Sequence, residues 1–198
     1  MLDRSPRRSV SKWKPCWRGL GQHGRYPTGG KQLQRWLVDY IAQAFHDVHL
    51  DGGMTIYTGE SHDRYGDAEE YRKSMTAERY DWRCVPVPDL LERHCSLSYL
   101  DANGFRYYTP AILTIVVRDL DSRGMLTDSF LFHLHNIRSS CRVRDTPYCM
   151  LYNRSQHAAI IRFVKYLVHN VPGGGLDEAM RKTLAGLPRC CSETRNSG

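Results

Sequence analysis

The segment Asp101–Val117 constrains the fold of this chain more than any other part of its sequence. Asp101 can accept hydrogen bonds from the free backbone N–H groups of a first helical turn. Large apolar side chains then recur at helical spacing at Phe105, Tyr108 and Ile112. This spacing predicts a helix that buries one continuous stripe in the core of the protein.

The second half of this segment is an apolar run that follows a proline. Ala111–Val117 is apolar on every side, which is typical of a helix at the centre of a core. A buried strand is the alternative because Ile115–Val117 are β-branched, but the aromatic helix that precedes them favours a helix. Pro110 lacks a backbone N–H and clashes with the preceding turn, so we expect the helix to end or kink near Thr109.

Two further amphipathic helices flank this segment in the chain. Residues 31–48 and residues 155–170 both place apolar side chains at steps of three and four, which is the pattern of a helix with one buried side. Together these patterns predict a mainly α fold, a compact multi-helix single domain. One short β element at residues 54–58 (MTIYT) is the alternative to a wholly helical chain.

Weaker patterns predict shorter helices between these elements. A polar stretch rich in helix formers, DAEEYRKSMTAERYDW, offers only a thin apolar side at Tyr71 and Met75. Residues 88–94 are predicted to form a short helix, because Pro88 suits the first turn of a helix. We expect both leucines of this short helix, Leu90 and Leu91, to point inward.

The positive charge of the chain is concentrated at its N-terminus. The formal net charge is +7, but residues 1–35 hold nine Lys and Arg against one acid, which is +8, whereas residues 36–170 carry −2. Nucleic-acid contact is therefore expected only through residues 1–35. The composition predicts a flexible basic arm at residues 1–30, a helical domain at residues 31–170, and a C-terminal extension at residues 171–198 that is partly helical or disordered.

Hydropathy and cysteine usage indicate a cytoplasmic protein. The longest apolar run is far shorter than the ~20 residues that a bilayer-spanning helix requires, so no membrane association is expected. No apolar block follows the basic N-terminus, which argues against a secretory signal. The seven cysteines form no C-x-x-C pair and are odd in number, so we interpret them as reduced thiols.

Three sequence elements together resemble a known family. DWRCVP occupies Asp81–Pro86, and SLSYLDANGFRYYTPA occupies Ser96–Ala111. They are similar to the Asp-Trp-Arg…Pro, Ser-Leu-Ser-aromatic and Gly-x-Arg-aromatic-aromatic-x-Pro-Ala elements of a bacterial family of domains of unknown function. The resemblance covers about residues 33–171 and implies no activity, substrate or cofactor. The matching positions are Asp81, Trp82, Arg83, Pro86, Ser96, Leu97, Ser98, Tyr99, Asp101, Gly104, Arg106, Tyr107, Tyr108, Pro110 and Ala111.

Arg106 is the first candidate for a functional side chain. It lies among aromatic residues on a largely apolar helix, and a buried Arg must be paired or heavily hydrogen-bonded. We favour a structural ion pair, for which the expected partners are Asp81, Asp101 and Glu92. The alternative is an anion-binding pocket that Arg106 forms with His94 and Tyr107.

No catalytic residue, metal or cofactor is predicted. The histidines and cysteines lack the paired spacing of zinc ligands, and Ser96 and Ser98 lack the Gly-x-Ser-x-Gly context of a hydrolase nucleophile. The glycine-rich segments lack the lysine and the strand–helix context of a phosphate-binding loop. The binding candidates are Arg106, His94, Tyr107 and Trp82.

A hydrophobic helical core without convergent titratable groups favours a non-enzymatic cytosolic module that binds another protein. Two alternatives stay open at this point. One is an enzyme with an anion-binding pocket around Arg106, and the other is nucleic-acid contact through the basic N-terminal arm. The sequence predicts neither the identity of a partner nor the oligomeric state.

Overall fold

Helices account for nearly all regular structure in the computed structural model of the chain. The structure describes residues 30–63, 68–119, 124–140, 142–143 and 146–170. The predicted C-terminal extension and all of the predicted basic arm except Gly30 lie outside these residues.

The elements follow one another along the chain with short connections. The α-helices are α1 Gly30–Ala44, α2 Ile56–Asp63, α3 Ala68–Thr76, α4 Val87–Glu92, α5 Ala102–Arg118, α6 Gly124–Ser140, α7 Tyr148–Leu151 and α8 Arg154–Asn170. Two 3-10 helices, Trp82–Cys84 and His94–Ser98, lie on either side of α4. Strands β1 Arg142–Val143 and β2 Thr146–Pro147 pair antiparallel. The predicted mainly α, single-domain fold is confirmed, and every helix in the described ranges is too short or too polar to cross a bilayer.

Helix α5 forms the centre of the core, as its apolar sequence predicts. Helices α1, α6, α7 and α8 all pack against it. Asp101 caps its first turn by accepting a hydrogen bond from the Gly104 N–H at 2.8 Å, and it accepts a second from the Met54 N–H at 3.1 Å. A Cβ at Gly104 would overlap the Met54 carbonyl oxygen, so the glycine allows the loop before α2 to lie directly on α5.

The expectation that α5 ends near Thr109 is wrong. The helix continues through Pro110 to Arg118. Pro110 is buried with its neighbours, and the Thr109 hydroxyl donates to the Phe105 carbonyl oxygen at 2.8 Å. A proline costs about 3 kcal/mol in a helix interior, and the burial of apolar side chains along both halves of α5 offsets that cost.

The alternative β element at residues 54–58 is also wrong, because α2 begins at Ile56. The Thr55 hydroxyl accepts a hydrogen bond from the Thr58 N–H at 3.0 Å, which satisfies one free donor of the first helical turn. The Ile56 N–H donates to the Tyr108 hydroxyl at 3.3 Å, and the Ile56 side chain is fully buried. Local capping and burial therefore favour a helix over an isolated strand.

Candidate functional site

Two of the four candidates from the sequence, Trp82 and Tyr107, are buried in the core. The Trp82 indole N–H donates to the Phe45 carbonyl oxygen at 2.9 Å. The Tyr107 hydroxyl donates to the Glu78 carbonyl oxygen at 3.0 Å, and burial raises the pKa of Tyr107 well above its usual range. Both polar groups therefore satisfy backbone carbonyls inside the fold.

Arg106 is half-buried on α5 and has a different ion-pair partner from those expected. Its Nη2 lies 3.8 Å from Asp51 Oδ2, and its Nε is buried without a hydrogen-bond partner. The expected carboxylates are engaged elsewhere: Asp101 caps α5, Asp81 contacts Arg83, and Glu92 contacts Arg93. The structural ion pair exists, but the three predicted partners are wrong because each carboxylate serves a nearer donor.

His94 lies at the start of the second 3-10 helix and is half-buried. Its Nδ1–H donates to the Leu91 carbonyl oxygen at 3.2 Å, and its Nε2 is buried without a hydrogen-bond partner. A cavity of about 330 Å³ lies between the end of α1 and the start of α8. Tyr40, His46 and Gln156 are among its lining residues, but none of the four sequence candidates is.

A serine–histidine pair joins the same 3-10 helix to α6. Ser98 Oγ lies 3.1 Å from His133 Nε2, and burial lowers the pKa of His133. The two side chains share one hydrogen bond, and the tautomer of the ring decides which of them donates. The other described contacts of His133 are with the rings of Phe105 and Phe132. None of these contacts is the carboxylate that orients the base in a catalytic triad.

The most extensive network of charged groups joins α3 to the end of α4. Arg93 is 4% exposed, and its Nε and Nη2 each donate to one carboxylate oxygen of Glu70 at 2.8 Å. Lys73 contacts the same carboxylate at 3.0 Å. Arg93 also contacts Asp89 at 3.3 Å and Glu92 at 2.9 Å. This bidentate pair is the geometry in which an arginine–carboxylate contact is strongest.

The side chain of Tyr57 on α2 extends this network toward the core. The Tyr57 hydroxyl donates to Asp89 Oδ2 at 2.6 Å, and burial together with this hydrogen bond raises the pKa of Tyr57 well above its usual range. The Arg93 guanidinium lies 5.2 Å from the centre of the Tyr57 ring. These groups have partners within the fold, so the network holds α2, α3 and α4 together.

We expect part of the stability to depend on the ionisation of Glu70. Hydrogen bonds from Arg93 lower the pKa of Glu70 from 4.5 to about 2. A carboxylate whose pKa falls on folding stabilises the native state above its unfolded pKa, and this contribution is lost as the pH falls from about 4.5 toward 2. A shift of this size corresponds to about 3 kcal/mol. The free energy of unfolding in urea, measured for the wild type and Glu70→Gln between about pH 7 and 2.5, gives this contribution.

The Glu70→Gln variant is expected to be less stable at neutral pH and to lose less stability than the wild type on acidification. An equal loss in both proteins between about pH 4.5 and 2.5 would assign the acid sensitivity to other groups. Glu69→Gln is the matched control, because Glu69 precedes it on α3 and its side chain is 63% exposed.

Four of the eight exposed large apolar side chains among the described residues lie on α4 and α6, which pack against each other. We define the α4–α6 face by Val87, Leu91, Met125 and Phe132. Val87 and Leu91 are four residues apart, and Met125 and Phe132 are seven apart, so each pair lies on one side of its helix. Met125 is 65% exposed and Phe132 is 61% exposed. Exposed apolar patches of this kind mark interaction sites more often than scattered single residues do.

Two hydrogen bonds fix the relative positions of the elements that form this face. The Ser129 hydroxyl, one helical turn from Met125, donates to the His94 carbonyl oxygen at 2.8 Å. Ser98 contacts His133 from the other end of the same 3-10 helix. The side of α6 that carries the exposed apolar residues is therefore anchored beside the segment that follows α4.

The described charged side chains that border the α4–α6 face are acidic. Glu92 is exposed next to Leu91, and Asp128 is exposed one turn from both Met125 and Phe132. Across the described side chains of α4, the following 3-10 helix and α6, no Lys or Arg is exposed. Glu92 contacts the buried Arg93, whose single positive charge is shared with Glu70 and Asp89. The face therefore combines apolar area with a negative border.

Sequence reasoning did not find this face. It expected Leu90 and Leu91 both to point inward, but Leu90 is buried and Leu91 is 36% exposed. Neighbouring residues on a helix are about 100° apart, so a short helix on one core cannot bury both fully. The two adjacent leucines could have indicated in the sequence that one apolar side chain of this helix is exposed. Phe132 gives no such signal, because it follows the buried Phe130 and Leu131 in one apolar run.

Comparison with known proteins supports a domain of unknown function. A family model described as a family of unknown function (DUF6714) matches residues 34–185. No curated protein and no solved structure matches the chain. The matched range contains α4, the second 3-10 helix and α6, and therefore the whole α4–α6 face.

Proposed function

The chain belongs to a protein family of unknown function, and we propose that it is a cytosolic protein-binding module that binds its partner through the α4–α6 face. The observation that carries this proposal is a set of exposed apolar side chains on two helices that pack against each other. Val87 and Leu91 lie on α4, Met125 and Phe132 lie on α6, and acidic side chains lie beside them. Burial of such side chains against a partner supplies the main driving force for association.

The core beneath the face supports binding because it keeps the face in one arrangement. Phe130 is fully buried, its ring centre lies 5.8 Å from that of Phe105, and it meets Phe163 edge to face at 6.2 Å. The turn of α6 that carries Phe132 is thereby fixed against α5 and α8. A rigid surface loses less conformational entropy on binding, so more of the contact energy appears as affinity.

The chemistry of the face indicates the kind of partner that it binds. Exposed aromatic and aliphatic side chains suit apolar anchors of the partner, which usually carry most of the binding energy. The carboxylates of Glu92 and Asp128 favour Lys or Arg beside those anchors and accelerate the encounter. We therefore assign the partner as an amphipathic segment with apolar residues on one side and basic residues around them.

The test is direct binding of designed peptides to the full chain. A fluorescein-labelled helical peptide of Leu and Lys is compared with the same peptide carrying Glu in place of Lys, by fluorescence anisotropy. We expect the Leu/Lys peptide to bind at least tenfold more tightly. Phe132→Glu removes an apolar anchor and adds a third carboxylate beside the peptide, so it should weaken binding at least tenfold, the size of a hot-spot loss.

Met75→Glu is the matched control for Phe132→Glu. Met75 is 67% exposed on α3, outside the α4–α6 face, so its replacement should leave the affinity within twofold. Equal weakening by the two variants, or equal affinity of the Leu/Lys and Leu/Glu peptides, would contradict the proposal. Circular dichroism of both variants confirms that their helical content matches that of the wild type.

A further inference from the structure

The N-terminal arm of the chain has the composition that the α4–α6 face selects. Lys12–Arg18 (KWKPCWR) holds two tryptophans, three basic residues and no acid. Trp13 and Trp17 are four residues apart, a spacing that places both on the same side in an extended segment and in a helix alike. Tryptophan is the residue most enriched among energetic anchors of interfaces.

We propose that Lys12–Arg18 docks on the α4–α6 face of its own chain and competes there with an external partner. This inference rests on the proposed function, because it uses the same face and the same partner chemistry. The tryptophans cover the apolar side chains of the face. The basic residues of the segment lie beside Glu92 and Asp128.

The connectivity of the chain allows this contact. Gln34, one turn into α1, donates through Nε2 to the Arg118 carbonyl oxygen at the end of α5 at 2.9 Å. The start of α1 is therefore close to the point from which the chain leads to α6. The seven residue steps from Arg118 to Met125 span at most about 25 Å, whereas the twelve steps from Arg18 to Gly30 extend to about 40 Å.

Charge complementarity favours this face over the exposed apolar pair on α3. The excess positive charge of the chain lies in the arm and the start of α1, since residues 1–35 amount to +8. The α4–α6 face has exposed apolar side chains and nearby carboxylates, and no Lys or Arg is exposed among the described side chains of its helices. The exposed apolar pair on α3, Tyr71 and Met75, differs in this respect, because Arg72 lies between them and is exposed.

An intramolecular contact needs little intrinsic affinity. A segment tethered by a short linker has an effective concentration in the millimolar range. A weak contact of Trp13 and Trp17 with the face is therefore sufficient to occupy it most of the time. An external partner must displace the segment, so the arm sets the affinity threshold for that partner.

Photo-crosslinking of the full chain tests the contact. A benzoylphenylalanine is placed at position 17, and the crosslinked peptides are identified by mass spectrometry. We expect intramolecular crosslinks to Val87–Ser98 and to Gly124–Leu134. Crosslinks mainly to other segments, the absence of crosslinks, or crosslinked dimers would each contradict the inference.

Charge-reversal variants supply the matched control. Glu92→Lys with Asp128→Lys should reduce the crosslinks at least fivefold, whereas Asp47→Lys with Glu69→Lys, which reverses two exposed carboxylates elsewhere, should leave them within twofold. Equal reduction by the two pairs would contradict the assigned site. Phe132→Glu is the second variant if the first pair fails to fold, and it should give the same loss.

Competition separates this inference from the proposed function. Trp13→Ala with Trp17→Ala in the full chain should bind the Leu/Lys peptide at least threefold more tightly than the wild type. Unchanged or weaker binding by the double variant would contradict docking of the arm. The proposed function would still hold in that case, provided that the peptide binds at the α4–α6 face. Loss of peptide binding in both proteins would refute the proposed function itself.

Discussion

Arg93→Ala is expected to destabilise the fold by about 3–5 kcal/mol, the usual cost of removing one partner from a buried ion pair. The guanidinium donates two hydrogen bonds to Glu70, and both side chains are nearly inaccessible to solvent. Its removal leaves the buried carboxylate with the partly exposed Lys73 in place of a bidentate partner, and it leaves a cavity between α3 and α4. Urea denaturation of the variant at neutral pH measures the loss.

Two further variants show whether the loss comes from the buried charge. Arg83→Ala removes a contact with Asp81 that is exposed on both sides, so it should cost no more than about 1 kcal/mol. Arg93→Met combined with Glu70→Leu removes both charges and keeps apolar volume, so it should recover much of the stability. A loss below about 1 kcal/mol in Arg93→Ala would contradict the role of this pair.

Phe130→Ala is the second substitution with a large expected effect, a destabilisation of about 3–5 kcal/mol. The ring is fully buried, stacks on Phe105 and meets Phe163 at its edge. Its removal leaves a cavity at the point where α6 packs against α5, and the lost contacts cannot be replaced by small shifts. The measurement is the free energy of unfolding in urea.

Phe132→Ala is the matched control for this cavity, because it makes the same chemical change two residues later on the same helix. Phe132 is exposed, and surface substitutions usually change stability by no more than about 0.5 kcal/mol. The two variants thus separate stability from binding, since only Phe132→Ala should weaken the Leu/Lys peptide while keeping the fold. Similar destabilisation by both would contradict the orientation of α6.

The sequence predicted the central helix because its signal is local. Asp101 is a helix cap in the structure, and the apolar residues that follow are buried as their spacing indicates. The predicted end of the helix near Thr109 was wrong because local rules weigh the missing N–H of Pro110 without the tertiary burial that offsets it. The strand alternative at residues 54–58 failed for a related reason, since Tyr108 and Thr55 stabilise the first turn of α2.

The buried polar network had no comparable sequence signal. Glu70 and Arg93 lie 23 positions apart, and nothing local distinguishes them from exposed charges. Helix α3 also reverses the expected pattern, since Tyr71 and Met75 face solvent while Glu70 and Ser74 are buried. Periodicity assigns the apolar side to the core, and only a tertiary partner such as Arg93 can invert that assignment.

The candidate site was predicted only in part. His94 lies in the 3-10 helix that follows α4 and packs against α6. Trp82 and Tyr107 point into the core, and Arg106 contacts Asp51. An aromatic or cationic side chain in a sequence looks the same whether it supports the core or a ligand. The α4–α6 face emerges only when two helices distant in the chain are placed side by side.

Backbone chemical shifts of the full chain during titration with the Leu/Lys peptide test the central claim most directly. We expect the largest shift changes at Val87–Ser98 and Gly124–Leu134, and much smaller changes when Phe132→Glu is titrated in the same way. Shift changes concentrated at the cavity between α1 and α8, around Tyr40 and Gln156, or no changes at saturating peptide, would contradict the assignment of the α4–α6 face as the binding surface.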